Sequence, residues 1–259
     1  MDILLTNDDG IDSAGIRALY DALSEIGDVL TVAPAADQSA VGRVLSEEVR
    51  VEEHELGYAI EGTPADCVVA GLEAIGPYPD IVVAGCNEGA NLGAYVLGRS
   101  GTVSAAVEAA FFGLPAIAVS VYLPKGEYPR EVAPAEFRHA AAATRYLTEH
   151  AEPAGVFEVA EYLNINAPLA SPDDDPAPLA VTRPSHTHAM DADRNGDGTI
   201  TLHDRIWDLM AAGDLDESIE TDRGAVLDGR VSVSPLTAPH TTERHEALDA
   251  LVETYDPAG

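Results

Sequence analysis

The apolar positions of the chain fall into short runs that alternate with segments of helical period. Residues 3–5 form an uninterrupted apolar run, which is typical of a buried parallel strand. Residues 11–26 then repeat apolar side chains every three or four positions, as one face of a helix does. A second apolar run at residues 28–33 completes a strand–helix–strand unit. The pattern therefore predicts a parallel sheet from the first residues of the chain.

The same alternation continues along the chain. The pattern predicts an exposed hairpin at residues 44–61 and a helix from Pro64 to Ile75 with Thr63 as its N-cap. Further helices are predicted at residues 103–112, 134–149 and 245–255, and further strands at residues 80–85, 116–121, 162–167, 179–182 and 230–236. We expect a three-layer, Rossmann-like α/β fold that is doubly wound around a mostly parallel sheet.

Two additions to that fold are also predicted. Residues 185–229 are loop-rich and acidic, which indicates a protruding β-hairpin or loop arm. The helical period at residues 245–255 indicates a C-terminal helix. Since no linker or internal repeat is visible, we expect a single domain over residues 1–259.

Composition narrows the classes of partner. The chain has 45 acidic and 14 basic residues, a net charge of -31, and a single lysine, Lys125. Such a charge repels nucleic-acid polymers and anionic membranes, and its even spread is typical of proteins adapted to high salt. No apolar run reaches the ~20 residues that span a bilayer, and no signal peptide is evident. We expect a cytoplasmic protein in which Cys67 and Cys86 are reduced.

Oxygen-bearing side chains follow three of the predicted strands. Asp8 and Asp9 come directly after the first strand, and Ser39 and Asn87 follow later ones. The loops after parallel strands gather at one edge of a doubly wound sheet, where such folds bind ligands. Carboxylate, hydroxyl and amide oxygens suit Mg²⁺ or Mn²⁺. Taken alone, residues 7–10 are equally compatible with a solvated turn.

A helix start supplies a second candidate site. Ser100, Gly101 and Thr102 precede a helical period, and the free N–H groups of a helix N-terminus bind anions. Gly101 allows close approach to the backbone because it has no side chain. A metal ion beside an anion site indicates phosphoryl chemistry with water as the nucleophile.

The motifs together resemble the SurE family of nucleotidases. The matching segments cover the chain from end to end in family order: residues 7–10, 33–34 with Ser39, 62–67, 85–93, 100–103, 163–168, 221–222 and 231–236. The chain departs from the usual family pattern at Cys86 and at Arg99. We interpret Cys86 as packing, and we expect Arg99 either to contact phosphate or, as we prefer, to pair with a surface acid.

The resemblance implies an enzyme, a 5'-nucleotidase. It would be a metal-dependent phosphomonoesterase that hydrolyses nucleoside 5'-monophosphates with metal-activated water, and the resemblance leaves open whether 3'-monophosphates are substrates too. One divalent metal ion per subunit, Mg or Mn, would be bound by Asp8, Asp9, Ser39 and Asn87. The phosphate would be bound by Asn91, Ser100, Gly101 and Thr102. Asp8 and Asp9 would be catalytic, with Asp9 our candidate for acting on the water, in a homodimer or homotetramer.

Other functions stay open at this point. Asp193–Asp204 fits the oxygen spacing of an EF-hand, but its last position is a short Asp and no flanking helix is evident. The Asn-Gly-Asp-Gly stretch at residues 195–198 favours a hairpin turn instead. A haloacid-dehalogenase-like phosphatase needs two aspartates separated by one residue, whereas Asp8 and Asp9 are adjacent. A non-catalytic nucleotide- or calcium-binding protein is the alternative function.

Overall fold

Residues 1–124, 132–172, 174–238 and 252 are described by the structure, a computed structural model. Within these residues, nine strands form one mixed sheet and two further strands form a separate hairpin. The predicted C-terminal helix at residues 245–255 lies, apart from residue 252, outside the described residues.

Parallel pairing dominates the sheet, as predicted. Its strands run in the order β3-β4-β2-β1-β5-β6-β7-β11-β8, and only the β3–β4 and β7–β11 pairs are antiparallel. They are β1 (Asp2–Thr6), β2 (Asp28–Pro34), β3 (Val51–His54), β4 (Gly57–Ile60), β5 (Ile81–Glu88), β6 (Ala116–Tyr122), β7 (Tyr162–Pro168), β8 (Leu179–Val181) and β11 (Val231–Leu236). The chain order reverses on either side of β1 and β5, which is the doubly wound topology.

Helices cover both faces of the sheet. They are α1 (Ala14–Leu23), α2 (Pro64–Ala70), α3 (Ala94–Leu97), α4 (Gly101–Phe111), α5 (Arg138–His150), α6 (Ile206–Ala212) and α7 (Asp222–Leu227). Successive strand residues point to opposite faces, so Ile3 and Leu5 pack with α1 and α5, whereas Leu4 packs with α2 and α4. The three-layer prediction is confirmed. None of the described helices has both the length and the apolar composition to cross a membrane.

Local sequence signals set several of these boundaries. The Thr63 hydroxyl accepts the N–H of Asp66, while the Asp66 carboxylate accepts the N–H of Thr63 at 2.8 Å. This reciprocal capping box starts α2 where the sequence predicts it. One difference is that α2 ends in a π-helical turn, Gly71–Ile75. Another is the short helix α3, which lies within a stretch that the sequence predicts as loop.

The predicted arm is shorter than residues 185–229. It contains the hairpin of β9 (Met190–Arg194) and β10 (Ile200–Asp204), followed by α6. Helix α7, although within that range, is buried and packs against β7 and β11. The EF-hand interpretation is wrong because Asp193 and Asp204 lie on the two antiparallel strands of the hairpin, with no helix entering its turn. The hairpin interpretation is confirmed.

Candidate functional site

The turn after β1 is held by Asn7. Its side-chain amide donates to the Gly10 carbonyl and to the Ser13 hydroxyl, both at 2.8 Å. Ser13 caps α1, so one amide joins the strand end to the helix start. Gly10 has φ +99°, and a Cβ there would lie 3.3 Å from the Ala36 backbone. The turn therefore has a fixed shape, and Asp8 and Asp9 lie within it.

The start of α4 binds the Asp8 carboxylate. The Thr102 hydroxyl donates to Asp8 Oδ1 at 2.6 Å, and both groups are buried. The Thr102 backbone N–H also donates to this carboxylate. A Cβ on Gly101 would meet Asp8 at 2.9 Å, so glycine is needed there for the aspartate to approach. The helix N-terminus thus stabilises the Asp8 carboxylate, while the binding of phosphate by Ser100, Gly101 and Thr102 stays a prediction.

Asp9 is held from the next strand of the sheet. Its Oδ2 accepts the backbone N–H of Glu88, at the end of β5, at 2.9 Å. Burial, followed by the charge of Asp8, raises the pKa of Asp9 to about 7. Burial also raises the pKa of Asp8 to about 6, against the lowering effect of its bonds to Thr102. Both carboxyl groups are therefore harder to ionise than an ordinary aspartate, because burial disfavours the charged form.

The loop after β2 brings a third acid to the pair. The Gln38 N–H donates to the Asp8 carbonyl at 2.7 Å, which ties this loop to the first turn. The Ser39 hydroxyl donates to Asp37 Oδ1 at 2.5 Å, and Ser39 lines the site from an exposed position. The charge of Asp37 contributes to the raised pKa values of Asp8 and Asp9. Asp37 is therefore part of the electrostatic site.

Asn87 reaches the site from an irregular part of β5. The register of β5 against β6 shifts between Ala84 and Asn87, and the strand continues to Glu88 rather than ending at residue 85. The side-chain nitrogen of Asn87 donates to the Gly89 carbonyl. That bond leaves the amide oxygen of Asn87 available as an acceptor or metal ligand.

Asn91 is positioned by a network of buried amides. Its carbonyl accepts from Asn164 at 2.9 Å and Asn166 at 3.1 Å, and its N–H donates to Asn166 Oδ1 at 2.8 Å. Its side-chain nitrogen lies 2.9 Å from the Ser120 hydroxyl. Because a hydroxyl both donates and accepts, the Asn91 amide can present either its oxygen or its nitrogen to the site while keeping this bond.

A cavity of about 560 Å³ connects these groups. Of the eight predicted site residues, five line it: Asp8, Ser39, Asn87, Asn91 and Ser100. The other three lie beside Asp8 or behind the lining: Asp9, Gly101 and Thr102. Ser100 also caps α4 by accepting the N–H of Val103 at 3.1 Å.

Arg99 lines the same cavity, and its guanidinium lies 4.3 Å from the centre of the Tyr95 ring. Among the described residues it pairs with no carboxylate, so the preferred prediction of a surface ion pair is not met there. It is also the one cationic side chain among the described residues that line the cavity. A cation–π contact orients the guanidinium without neutralising it.

Four further residues belong to the site but were not predicted from the sequence. Asp37 and Glu88 act electrostatically on Asp9, and Asp204 and Trp207 line the cavity from the arm. Asp37 lies two residues before Ser39, so its spacing was a usable signal. Asp204 and Trp207 carried no such signal because only the packing of the arm brings them to the strand ends.

Two buried charged residues, Asp222 and Arg223, fix the loop that carries Asn91. The Asp222 carboxylate accepts the N–H groups of Gly93 at 2.6 Å and of Ser185 at 2.9 Å. The Arg223 guanidinium donates to the Leu92 carbonyl at 3.0 Å and to the Thr187 carbonyl at 2.6 Å. Both side chains are almost fully buried. They join the loop after β5 to the base of the arm.

The donor set is suited to a hard cation with few protein ligands. Within the described part of the chain, no three His, Cys, Asp or Glu side chains converge as a metal-binding group. Two carboxylates with neutral oxygens from Ser39 and Asn87 are present instead. Mg²⁺ and similar ions are bound in this manner, by one or two carboxylates with water completing the shell. The Thr102 hydroxyl bonds Asp8 Oδ1 and the Glu88 N–H bonds Asp9 Oδ2, and an ionised carboxylate has further acceptor sites for a cation.

Fold and site together define an α/β protein of the doubly wound class, with an oxygen-rich cavity at the carboxyl edge of its parallel strands. The sequence profile described as "Survival protein SurE" matches residues 3–191, and the chain belongs to the SurE family.

Relatives and a solved structure extend the comparison over the whole chain. The "5'-nucleotidase SurE" of Haloarcula marismortui is 66% identical, with 98% of this chain and 95% of that one covered. The protein of the same name from Natronomonas pharaonis is 62% identical, with 98% and 100% covered. The crystal structure of the SurE protein from Aquifex aeolicus superposes with a TM-score of 0.79 at 31% identity, covering 97% of this chain and 100% of that one.

Proposed function

We propose that the protein is a 5'-nucleotidase that hydrolyses nucleoside 5'-monophosphates to nucleoside and phosphate with the aid of one divalent cation. The observation that carries this proposal is the adjacent pair Asp8 and Asp9, fixed behind a cavity whose other walls supply hydroxyl and amide groups. The names of the relatives support the substrate class.

A cation is required by the charges that surround the cavity. Asp37, Glu88 and Asp204 add to the field of the aspartate pair, and a nucleotide phosphate is itself an anion. The donor set fits Mg²⁺ or Mn²⁺, with Asp8 and Asp9 as carboxylate ligands and Ser39 and Asn87 as neutral ones. When bound, such an ion offsets charge on the phosphoryl oxygens and lowers the pKa of water.

The residues of the chain then have separable roles. Asn91, Ser100 and the guanidinium of Arg99 face the cavity and would bind the phosphoryl oxygens. Gly101 and Thr102 hold Asp8 in place rather than the substrate. Asp9 is our candidate for orienting the attacking water and accepting its proton. Water oxygen bonds to phosphorus and the ester bond to the 5' oxygen breaks. That oxygen takes a proton from solvent and leaves as the nucleoside hydroxyl, while Asp9 returns to solvent the proton it accepted.

The test is phosphate release from AMP and GMP with Mn²⁺ present. We expect a chelator to abolish release and fresh Mn²⁺ to restore it. Asp9→Asn should lower kcat on the order of a thousandfold while the protein stays folded, because the variant loses both a ligand and a proton acceptor.

The matched control is Asp12→Asn, a highly exposed acid in the same turn, which should behave as the parent protein. Unchanged turnover of Asp9→Asn at saturating Mn²⁺, or release that persists in chelator, would overturn the proposal. Nucleotide binding without any release would instead favour the non-catalytic alternative. The homodimer or homotetramer stays a prediction, which light scattering of the purified protein measures.

A further inference from the structure

The cavity has a second, apolar wall, which the arm builds together with α3 and the end of β6. Val96, Leu123 and Trp207 contribute apolar surface to it, whereas the strand-end loops contribute hydroxyl, amide and carboxylate groups. Sites that take small organic ligands combine an apolar surface with a few polar groups in this way. The volume of about 560 Å³ exceeds what a metal ion and a phosphate need, and it falls within the range for a whole nucleotide.

Trp207 is held firmly at this wall. It is the second residue of α6, between Ile206 and Met210, which are 1% and 2% exposed. The N–H of Arg205 donates to the Ala189 carbonyl at 2.8 Å, which ties the start of the helix to the hairpin. Trp207 packs in part on the small cluster around Leu92 and is itself only half-buried. Trp207 is therefore packed in part against the protein and also lines the cavity.

Charge decides which part of a nucleotide this wall can face. Asp204 lines the cavity beside Trp207, and its Oδ1 accepts the N–H of Ile206 at 3.3 Å. A carboxylate repels a phosphate but accepts hydrogen bonds from neutral N–H and O–H groups. A base and a ribose carry such donors. The wall from the arm therefore suits the nucleoside part, and Arg99 with the strand-end groups suits the phosphate.

We propose that the arm supplies the nucleobase subsite, in which the indole of Trp207 stacks on the base and Asp204 accepts hydrogen bonds from the nucleoside. This inference rests on the proposed function for the phosphate part of the site. Every base has a π face, so the subsite selects nucleotides over smaller phosphate esters more strongly than it selects one base over another.

The chain contains one tryptophan, so intrinsic fluorescence of the intact protein reports on this residue alone. In chelator, where no turnover is expected, adenosine should quench the emission of Trp207 in a saturable manner. Ribose 5-phosphate, which has no base, should not. Free N-acetyltryptophanamide corrects for absorption by adenosine. Absence of saturable quenching by adenosine overturns the proposal whether or not the protein proves to be a phosphatase.

A kinetic experiment separates stacking from a merely structural role. With Mn²⁺, Trp207→Leu should lower the ratio of kcat/KM for AMP to kcat/KM for ribose 5-phosphate about tenfold, mainly through KM, and Trp207→Phe should restore most of it. Tyr78→Leu, an exposed aromatic residue that does not line the cavity, is the control and should leave the ratio unchanged. An equal loss for both substrates would show that Trp207 only supports the fold, and would overturn the proposal.

Discussion

Two walls of one cavity differ in how they are built. The strand-end wall lies on buried elements: Asp8 is bonded by Thr102, and Asp9 by the N–H of Glu88. The arm wall stands on the hairpin of β9 and β10, whose residues are mostly exposed, and on the short helix α6. Groups that act on the phosphate thus lie on or beside the buried strand ends, whereas groups proposed to contact the nucleoside lie on an added segment.

The two walls are nevertheless joined by one buried pair. Asp222 and Arg223 bond the loop of Gly93 and Leu92 on one side and the start of the arm on the other. Burial raises the pKa of Asp222 and lowers that of Arg223, and each opposes the shift of the other. The pair is costly to break because its remaining partner would be a buried, uncompensated charge.

Removing the Arg223 side chain, which connects the two walls, should have the largest effect on stability. Arg223→Met is expected to lower the free energy of unfolding by about 3–5 kcal/mol, since the buried acids Glu217 and Asp222 lose the cation that stabilises their charged forms. Urea unfolding measures it. The matched control is Arg230→Met, which removes an exposed arginine whose ion-pair partner among the described residues is the exposed Asp228, and should cost less than about 1 kcal/mol. Equal losses for both variants would contradict a special role for the buried pair.

The pH dependence of stability, and of its increase on Mn²⁺ binding, should distinguish the strand-end wall from the arm wall. The native pKa values of Asp8 and Asp9, about 6 and about 7, lie above the ordinary value of 3.8. The native state therefore binds more protons than the unfolded state between these values, and the stability from these two acids falls as pH rises through that window. Added Mn²⁺ must displace the protons on Asp8 and Asp9. Below the native pKa values, the apparent affinity for Mn²⁺ should therefore weaken about tenfold for each pH unit and each displaced proton.

Thermal unfolding with and without Mn²⁺ measures this effect. The rise in Tm caused by Mn²⁺ should be larger at about pH 8 than at about pH 5. In Asp9→Asn, the rise in Tm should be smaller and should depend less on pH. In Asp204→Asn, on the arm wall, the size of the rise and its pH dependence should match those of the parent protein. A rise that is the same at both pH values would place Mn²⁺ away from the aspartate pair.

Substitutions at the tip of the arm should have the smallest effect on stability. The Asp193→Ala, Asp197→Ala double variant is expected to change stability by less than about 0.5 kcal/mol, since both residues lie in an exposed hairpin. Calcium titration should show no binding that the double variant loses, because the Asp197 carboxylate is already bonded to Thr199 within the turn. Calcium binding that disappears in the variant would restore the calcium alternative.

Local signals in the sequence predict most of the sheet and bring several site residues together. Apolar runs of the right length predict β1, β2 and β6, and the capping residue Thr63 predicts the start of α2, because these signals are local. The loops after parallel strands meet by topology, so Asp8, Ser39 and Asn87 could be placed together. The extension of β5 past residue 85 was missed because an irregular register has no periodic signal.

The contacts that each polar side chain makes at the site follow only from the tertiary structure. Thr102 lies 94 positions from Asp8, and only packing shows that its hydroxyl binds that carboxylate instead of facing the cavity. Trp207 lies in a stretch that the sequence marks only as an acidic excursion, yet the fold brings it to the strand ends. The physical reason is that hydrophobic period and turn chemistry depend on neighbouring residues, whereas the direction of a side chain at a site depends on elements far away in the chain.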